Sequence, residues 1–199
     1  MAAMAAPFSG VTVESHVSTI GPRTLEFARQ LHGRLEVAAG LETIHPVAGA
    51  QMNKRLDLGR FDIGTRYLVD NEIDLRVFVL LGVPHVPAQE SVAWTVRTVD
   101  YAVERGASVV SIIPVRGGNG EMERLVALGH VTPPTLLQLE DALDASLQFT
   151  NTVVTADLWD AERLPSCGDC RSARIERLRR LNVTGRMEPR IACTVCGGA

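Results

Sequence analysis

Residues 74–84 read DLRVFVLLGVP, and the run from Val77 to Val83 within them is the most apolar stretch of the chain. A run that spans a bilayer needs about 18 or more apolar residues, so this one is too short to do so. A short apolar run that ends at Gly and Pro is typical of a buried strand. We therefore place a strand at Leu75–Leu81.

Similar short runs occur on both sides of this strand, with amphipathic segments between them. The further strands are Val11–Glu14, Leu35–Ala39 and Val109–Pro114, and the predicted helices are Pro22–Leu31, Phe61–Asp70, Glu90–Arg105, Glu121–Leu128 and Pro133–Phe149. This alternation predicts an α/β fold with about four parallel strands, built from βαβ units. Because the strands are nearly continuous in apolar character, we expect both faces of the sheet to be covered.

The composition agrees with a globular protein. Of the 199 residues, 46% are hydrophobic and 22% are charged, which excludes a disordered, collagen-like or coiled-coil chain. The segment Met1–Gly10 carries no Lys or Arg, so we expect no secretory signal. We therefore expect a cytoplasmic protein with no membrane partner.

All four cysteines lie near the carboxyl terminus, as Cys167-x-x-Cys170 and Cys193-x-x-Cys196. Two such pairs can close a tetrahedral site in which each sulfur lies about 2.3 Å from a zinc ion. Disulfides are disfavoured in a reducing cytoplasm. The spacing predicts a structural metal site, with zinc favoured over an iron–sulfur cluster although thiolates suit both.

A basic helix is predicted between the two cysteine pairs, where residues 171–182 read RSARIERLRRLN. Apolar residues recur there at helical spacing, and arginines cover the rest of the helix surface. The tail from Pro165 has a net charge of +4, while the first 164 residues carry −7. Two interpretations stay open: the arginines contact the phosphates of RNA, or they form a solvated face packed on the metal site.

These patterns divide the chain into three parts. Residues 1–150 form an α/β body, residues 151–164 form a connector, and residues 165–199 form a zinc-ribbon-like four-cysteine module. Ligands of parallel α/β folds bind at the carboxyl ends of the strands. Glu14 and Glu42 stand there, either as ligand-binding groups or as solvated residues that cap helices. His16 and His85 also follow strand ends and are candidates to move protons, with a structural role as the alternative.

The order and spacing of five strings resemble the later part of a radical S-adenosylmethionine (SAM) enzyme. The strings are VTVESH, LEVAAGLET, MNKR, DLRVFVLLGVP and VVSIIPV. The likeness covers roughly residues 8–149 and is to the branch that contains the elongator catalytic subunit, the oxygen-independent coproporphyrinogen oxidase and archaeal tRNA-modifying relatives. It implies a partial (β/α) barrel.

The resemblance also implies a set of cofactor-binding residues. Glu14 and Glu42 would face bound SAM, Lys54 would lie near its carboxylate, and the backbone of Leu80, Leu81 and Gly82 would lie against the adenine. Acidic groups and one cation complement the ammonium, hydroxyl and carboxylate groups of SAM.

One departure from this family is large. The family holds a [4Fe–4S] cluster with CxxxCxxC, and this sequence has no such motif. Without those thiolates the polypeptide alone is not expected to cleave SAM. The chain would then be a fragment, which we favour, or one half of a split enzyme, or a degenerate domain that only binds. The first two predict a partner, namely a missing amino-terminal half or a cluster-bearing subunit.

Two functions therefore remain open. The first is the carboxyl-terminal portion of a radical SAM enzyme, which would act on tRNA or another substrate only when the cluster-bearing segment is present. The second is a non-catalytic zinc-ribbon module that binds nucleic acid or protein on an α/β scaffold. An unpaired edge at the Val11 strand also predicts association or poor solubility of the isolated chain.

Overall fold

Five parallel strands form one sheet in the computed structural model of the chain, which describes residues 8–52, 57–118, 120–149 and 151–197. The strands follow one another across the sheet in chain order: β1 (Gly10–Glu14), β2 (Arg34–Glu42), β3 (Asp74–Leu81), β4 (Val109–Pro114) and β5 (Val153–Ala156). The predicted α/β class is confirmed. The fifth strand lies in the predicted connector and pairs with β4.

Seven helices connect or follow the strands in the part of the chain that the structure describes. They are α1 (Pro22–Arg29), α2 (Pro46–Gln51), α3 (Leu58–Asp70), α4 (Ser91–Glu104), α5 (Glu121–Ala127), α6 (Leu136–Ser146) and α7 (Arg171–Thr184). The sequence did not predict α2. It also placed the start of α6 at Pro133. In the structure Thr135 caps this helix, because its side chain and that of Gln138 each bond the backbone amide of the other residue. This capping box sets the first turn after the two prolines.

The helices cover one face of the sheet. Consecutive parallel strands joined by right-handed crossovers place every connecting helix on the same side, as in one part of a (β/α) barrel. The residues of β3 whose side chains face this layer are fully buried. They pack with their counterparts on the other strands into the main core: Leu35, Val37, Leu41, Leu75, Val77, Val79, Leu81, Val110, Ile112, Val154 and Ala156.

The opposite face of the sheet is open, so the expectation that both faces are covered was wrong. Every second residue of β3 from Asp74 to Leu80 is only half-buried. The polar members of this alternation, such as Glu36 and Arg76, interrupt runs that otherwise look continuously apolar. We call this surface the open face.

The carboxyl-terminal helix is part of the same helix layer. Helix α7 packs against α6 and β5, and Ile175, Leu178 and Leu181 belong to the main core. Helix α7, which lies within the predicted carboxyl-terminal module, thus shares a hydrophobic core with the body. None of the helices in the described ranges is long and apolar enough to span a membrane.

Candidate functional site

A row of hydrogen bonds crosses the open face from β1 to β5. Thr12 Oγ1 donates to Glu36 Oε2 (2.9 Å), and Arg76 Nε donates to the same oxygen (2.8 Å). Arg76 Nη1 donates to Ser111 Oγ (3.3 Å), which lies 3.2 Å from Thr155 Oγ1. We call these five residues the polar row. The sequence analysis missed it, although the period-two alternation in RLEV and DLRVF carries the signal.

The two glutamates predicted to bind SAM lie at different positions along the strand direction. Glu14 ends β1, is exposed, and is level with Ala38 of β2. Because β2 bulges just before its end, Glu42 pairs with Val79, which lies three residues beyond Arg76, the β3 partner of Ala38. At about 3.3 Å per residue, the backbones of the two glutamates lie roughly 10 Å apart along the strand direction. The pair can therefore contact the two ends of an elongated ligand.

The position of Glu42 is unusual and depends on Gly40. The pairing of β2 with β3 shifts register between these two residues, and Glu42 has a φ of 61°, a conformation that costs energy for a residue with a side chain. A Cβ at residue 40 would lie 2.8 Å from Glu42 Oε1. A side chain at residue 40 would therefore displace the Glu42 carboxyl group from the position it has here.

Backbone strain concentrates at the carboxyl edge of the sheet. Among the described non-glycine residues, four have a positive φ, and three of them (Glu42, His85 and Asp160) lie at or just beyond the ends of β2, β3 and β5. Strained residues cluster at functional sites because the surrounding structure must hold them in place. The positive φ values therefore make this edge the candidate functional edge.

The three residues predicted to line the adenine have different surroundings. Leu80 packs on a small cluster formed by Ala48, Val83 and Val86, whereas Leu81 is fully buried in the main core. Gly82 has a φ of 80°, and a Cβ there would lie 2.7 Å from the Pro134 ring. The group that approaches Gly82 closely is therefore Pro134. Lys54, which was predicted to lie near the carboxylate of SAM, is outside the described residues.

The two candidate histidines, His16 and His85, have local partners, as do His45 and His130. His16 Nδ1 accepts from the Ser18 amide (3.2 Å) and His45 Nδ1 from the Ala48 amide (3.1 Å), so both cap helical turns. His85 lies beside His130, with ring centroids 5.1 Å apart and the His85 amide 2.7 Å from the His130 carbonyl oxygen. The pairing of these two rings was not predicted.

The four cysteines converge, as predicted for a metal site. Their sulfurs all lie within 4.8 Å of one another, and Cys170 Sγ is 3.9 Å from Cys196 Sγ. Four sulfurs about 2.3 Å from one tetrahedral ion would lie about 3.8 Å apart. The group can therefore hold a single metal ion.

The protein environment differs between the two cysteine pairs. Backbone amides of Cys196 and Val195 lower the pKa of the Cys193 thiol to about 7, which favours the thiolate that binds metals. At Cys170 the Arg174 guanidinium also favours the thiolate, with Nε 3.2 Å from Sγ. Burial and hydrogen bonds to Cys196 and Cys193 outweigh it, so the pKa of Cys170 is raised.

A cluster of buried ions joins α6 to α7. Arg174 forms an ion pair with Glu140, and Arg177 bonds Glu140 Oε1 and Asp144 Oδ1, each at 2.9 Å. The two arginines are 2% and 0% exposed. We call these four residues the buried ion cluster. The interpretation of the tail arginines as a uniformly solvated or phosphate-facing surface is wrong for these two, because their carboxylate partners lie more than thirty residues away in the sequence.

The buried ion cluster also holds the second cysteine pair. Arg174 Nη2 donates to the Ile191 carbonyl (3.1 Å), and Arg177 donates to the carbonyls of Pro189 (2.9 Å) and Glu188 (2.6 Å). These backbone groups lead directly to Cys193. The two arginines therefore connect the body, the first cysteine pair and the segment that carries the second pair.

No protein-family model and no curated protein matches this sequence. Solved structures match its fold. The archaeal Methanocaldococcus infernus Elp3, solved with an amino-terminal deletion, has a TM-score of 0.66 at 12% identity, over 94% of this chain and 44% of that chain. Coproporphyrinogen III oxidase (HemN) from Escherichia coli, a radical SAM enzyme, has a TM-score of 0.53 at 14% identity, over 70% of this chain and 31% of that chain.

These matches confirm the fold expected from the sequence resemblance. The chain has the fold of part of a radical SAM barrel, and it spans less than half of the length of each of these two proteins. At such low identity the likeness establishes the fold alone.

Proposed function

We propose that this chain is the SAM-binding part of a radical SAM iron–sulfur enzyme, which reacts only when a cluster-bearing segment completes it. One observation carries the proposal: the barrel-like sheet keeps an open face, and Glu42 is held there in a strained conformation over Gly40. A strained carboxylate at the carboxyl edge is typical of a ligand-binding group.

The residues present fit SAM in chemistry and in spacing. Glu42 and Glu14 would accept hydrogen bonds from the ribose hydroxyls and the ammonium group of SAM, while Lys54 would neutralise its carboxylate. The separation of the two glutamates suits an elongated molecule. When bound, SAM and a reduced [4Fe–4S] cluster would together supply the radical that removes hydrogen from the substrate.

The residues present do not fit the cluster itself. All four cysteines of the sequence belong to the tail site, whose sulfurs lie close enough for one ion, whereas a cluster of several irons separates its thiolates more widely. We therefore assign no electron-transfer step to this chain. The cluster would come from another segment of a longer protein or from another subunit.

We propose zinc for the four-cysteine site. Sulfur separations suited to a single tetrahedral ion support this assignment, and four thiolates leave no open position for a reacting group. The ion would then stabilise the tail rather than take part in chemistry. Its need for reduced thiols supports a cytoplasmic location.

A purely binding role is the second candidate. It is favoured by the fact that all four cysteines of the sequence belong to the tail site, which leaves none to hold a cluster beside the open face. An RNA contact would rest on the exposed arginines of α7 and the segment after it, such as Arg179, Arg180 and Arg186. Arg179 and Arg180 also pair with Glu176, which reduces the charge they offer to phosphates.

Equilibrium dialysis with labelled SAM tests the proposal. We expect saturable binding by the chain, at least about tenfold weaker binding for Glu42→Gln because a charge-assisted bond is lost, and weaker binding for Lys54→Ala. Glu26→Gln, on the exposed surface of α1, is the matched control and should bind like the unaltered chain. Absence of saturable binding would overturn the proposal and favour the binding module.

A further inference from the structure

A cleft lies at the carboxyl edge of the sheet, beyond the ends of β4 and β5. Its volume is about 500 Å³, and its lining includes Arg116, Gly117, Glu123, Trp159 and Arg163. An adjoining apolar cavity of about 350 Å³ shares Arg116, Gly117 and Glu123 and extends along α5 to Val126. Cavities of roughly 300–1,000 Å³ with few polar groups are typical of small-molecule sites.

An exposed indole stands over this cleft. The Trp159 side chain is 74% exposed, which is unusual for so large an apolar ring. The backbone that carries it is held on one side by the Trp159 amide, which donates to Asp157 Oδ1 (2.9 Å), and Asp160 follows with a φ of 54°. An exposed aromatic surface beside a cavity indicates a stacking platform for a ligand.

Arg116 ties the turn that carries this indole to the β4 side of the cleft. Its Nη1 donates to Asp157 Oδ2 (2.8 Å) and its Nη2 donates to the Asp157 carbonyl (3.3 Å). Asp157 therefore bonds Trp159 and Arg116 at the same time. The two walls of the cleft are thus held at a fixed separation before any ligand binds, which lowers the entropy cost of binding.

The charges around the cleft largely cancel. Asp157 neutralises Arg116, and Asp160 lies 3.4 Å from Arg163. The Glu123 carboxylate accepts from the Gly118 amide, which lowers the pKa of Glu123 below its usual value. With two arginines matched by three carboxylates, the cleft offers no excess positive charge to a phosphate.

We propose that this cleft binds an uncharged planar aromatic ring of the substrate that has one polar edge, stacked on Trp159, with that edge toward Glu123 and the backbone at Gly117. A nucleobase and the phenol ring of a tyrosine side chain share this chemistry. The site lies beyond β4 and β5, whereas Glu14, Glu42 and Leu80 lie on β1 to β3, so it is separate from the proposed cofactor contacts. It rests on the geometry of the cleft and does not require SAM to bind.

Fluorescence of Trp159 tests this site in the full chain. In a Trp94→Phe background, Trp159 is the single tryptophan, so titration with adenosine, guanosine, cytidine, uridine and N-acetyltyrosinamide reports directly on the cleft. We expect saturable quenching by nucleosides or by the tyrosine derivative, and the more tightly bound class identifies the source of the ring. The corresponding nucleoside monophosphates should bind no more tightly than the nucleosides.

Equilibrium dialysis with the best ligand then compares two variants. Trp159→Ala should weaken binding by at least about fivefold, the lower end of base–aromatic stacking, while Trp159→Phe should retain part of it. Exposed Leu128→Ala, on the same side of the body but outside the cleft lining, is the control. Circular dichroism checks that each variant is folded.

Three outcomes would overturn the proposal. These are no saturable binding of any ring, equal binding by Trp159→Ala, or monophosphates that bind tenfold more tightly in a salt-dependent manner. Displacement of the bound ring by S-adenosylhomocysteine would also contradict it, because the cleft would then hold the cofactor's adenine. SAM dialysis, measured separately, reports on the proposed function whichever result is obtained here.

Discussion

Glu–Arg ion pairs occur in two regions of this molecule that differ in their exposure to water. Glu140 and Arg177, between α6 and α7, have fully buried side chains, whereas Glu36 and Arg76 on the open face keep 17% and 29% of their side chains exposed. Water screens the second pair but not the first. The comparison indicates that the α6–α7 interface excludes water, while the open face remains accessible to it.

The largest effect is expected from loss of a metal ligand. Cys193→Ser should reduce bound zinc from about one ion per chain to nearly none and lower the melting temperature of the whole chain, because residues 188–191 and Arg174 connect the site to the body and metal binding energy is folding energy. Metal analysis and calorimetry measure both. Val195→Ala, between the same cysteines, should change neither. A melting temperature unaffected by Cys193→Ser would show that the site is independent of the body.

A matched pair of neutralising substitutions tests the ion pairs themselves. Glu140→Gln removes the buried carboxylate that Arg174 and Arg177 share and leaves Asp144 as the only carboxylate of the cluster, so the free energy of unfolding should fall by about 3–5 kcal/mol. Glu36→Gln removes the partly exposed counterpart and should cost no more than about 1 kcal/mol. Urea denaturation of both variants gives the values. Equal losses would mean that burial does not distinguish the two regions.

Two glycines with similar φ angles allow the cost of backbone strain to be distinguished from the cost of overpacking. Gly82 and Gly129 both have a positive φ, but a Cβ at Gly82 would clash with Pro134, whereas at Gly129 it meets open space. Gly129→Ala should cost about 1 kcal/mol from strain alone. Gly82→Ala should cost about 3 kcal/mol because overpacking adds to the strain. If chemical denaturation shows similar losses, the contact with Pro134 contributes nothing.

The smallest effect concerns a solvated ion cluster between α3 and α4. Burial opposes ionisation of Asp62, but bonds from Arg105 (2.9 Å) and the Tyr101 hydroxyl (2.7 Å) outweigh it and lower the pKa of this carboxyl. Its stabilising contribution is therefore present above the unfolded-state pKa of about 3.9 and is lost as the pH falls through the lower folded-state pKa.

Asp62→Asn should accordingly cost up to about 1 kcal/mol at neutral pH and almost nothing in strong acid. Paired urea curves at pH 7 and in acid measure the difference. Asp100→Asn, at an exposed position of α4, controls for the change of charge. A cost that stays constant with pH would contradict the assigned pKa direction.

The features that depend only on neighbouring residues in the sequence were predicted correctly. Cysteine spacing identified the metal ligands, and the apolar run at Leu75–Leu81 identified a central strand. The polar row was missed because single polar residues within apolar runs looked like interruptions, although they define the open face. The four-residue β5 was too short to stand out from its surroundings.

Long-range partners could not be read from the sequence. Arg174 and Arg177 fit a solvated helix face until Glu140 and Asp144, on a different helix, are placed beside them. The contact between residue 40 and the Glu42 carboxyl group likewise depends on the direction of the Glu42 side chain, which follows from the shift in strand register. In each case the deciding neighbour is set by the folded chain.

Gly40 has a consequence for how this protein can diverge. Its missing side chain leaves the space that the Glu42 carboxyl occupies in this conformation. A side chain at residue 40 would displace that carboxyl group, so the two positions are coupled. In homologous sequences that replace the glycine, we expect the acid or amide two positions later to be oriented differently or to be lost.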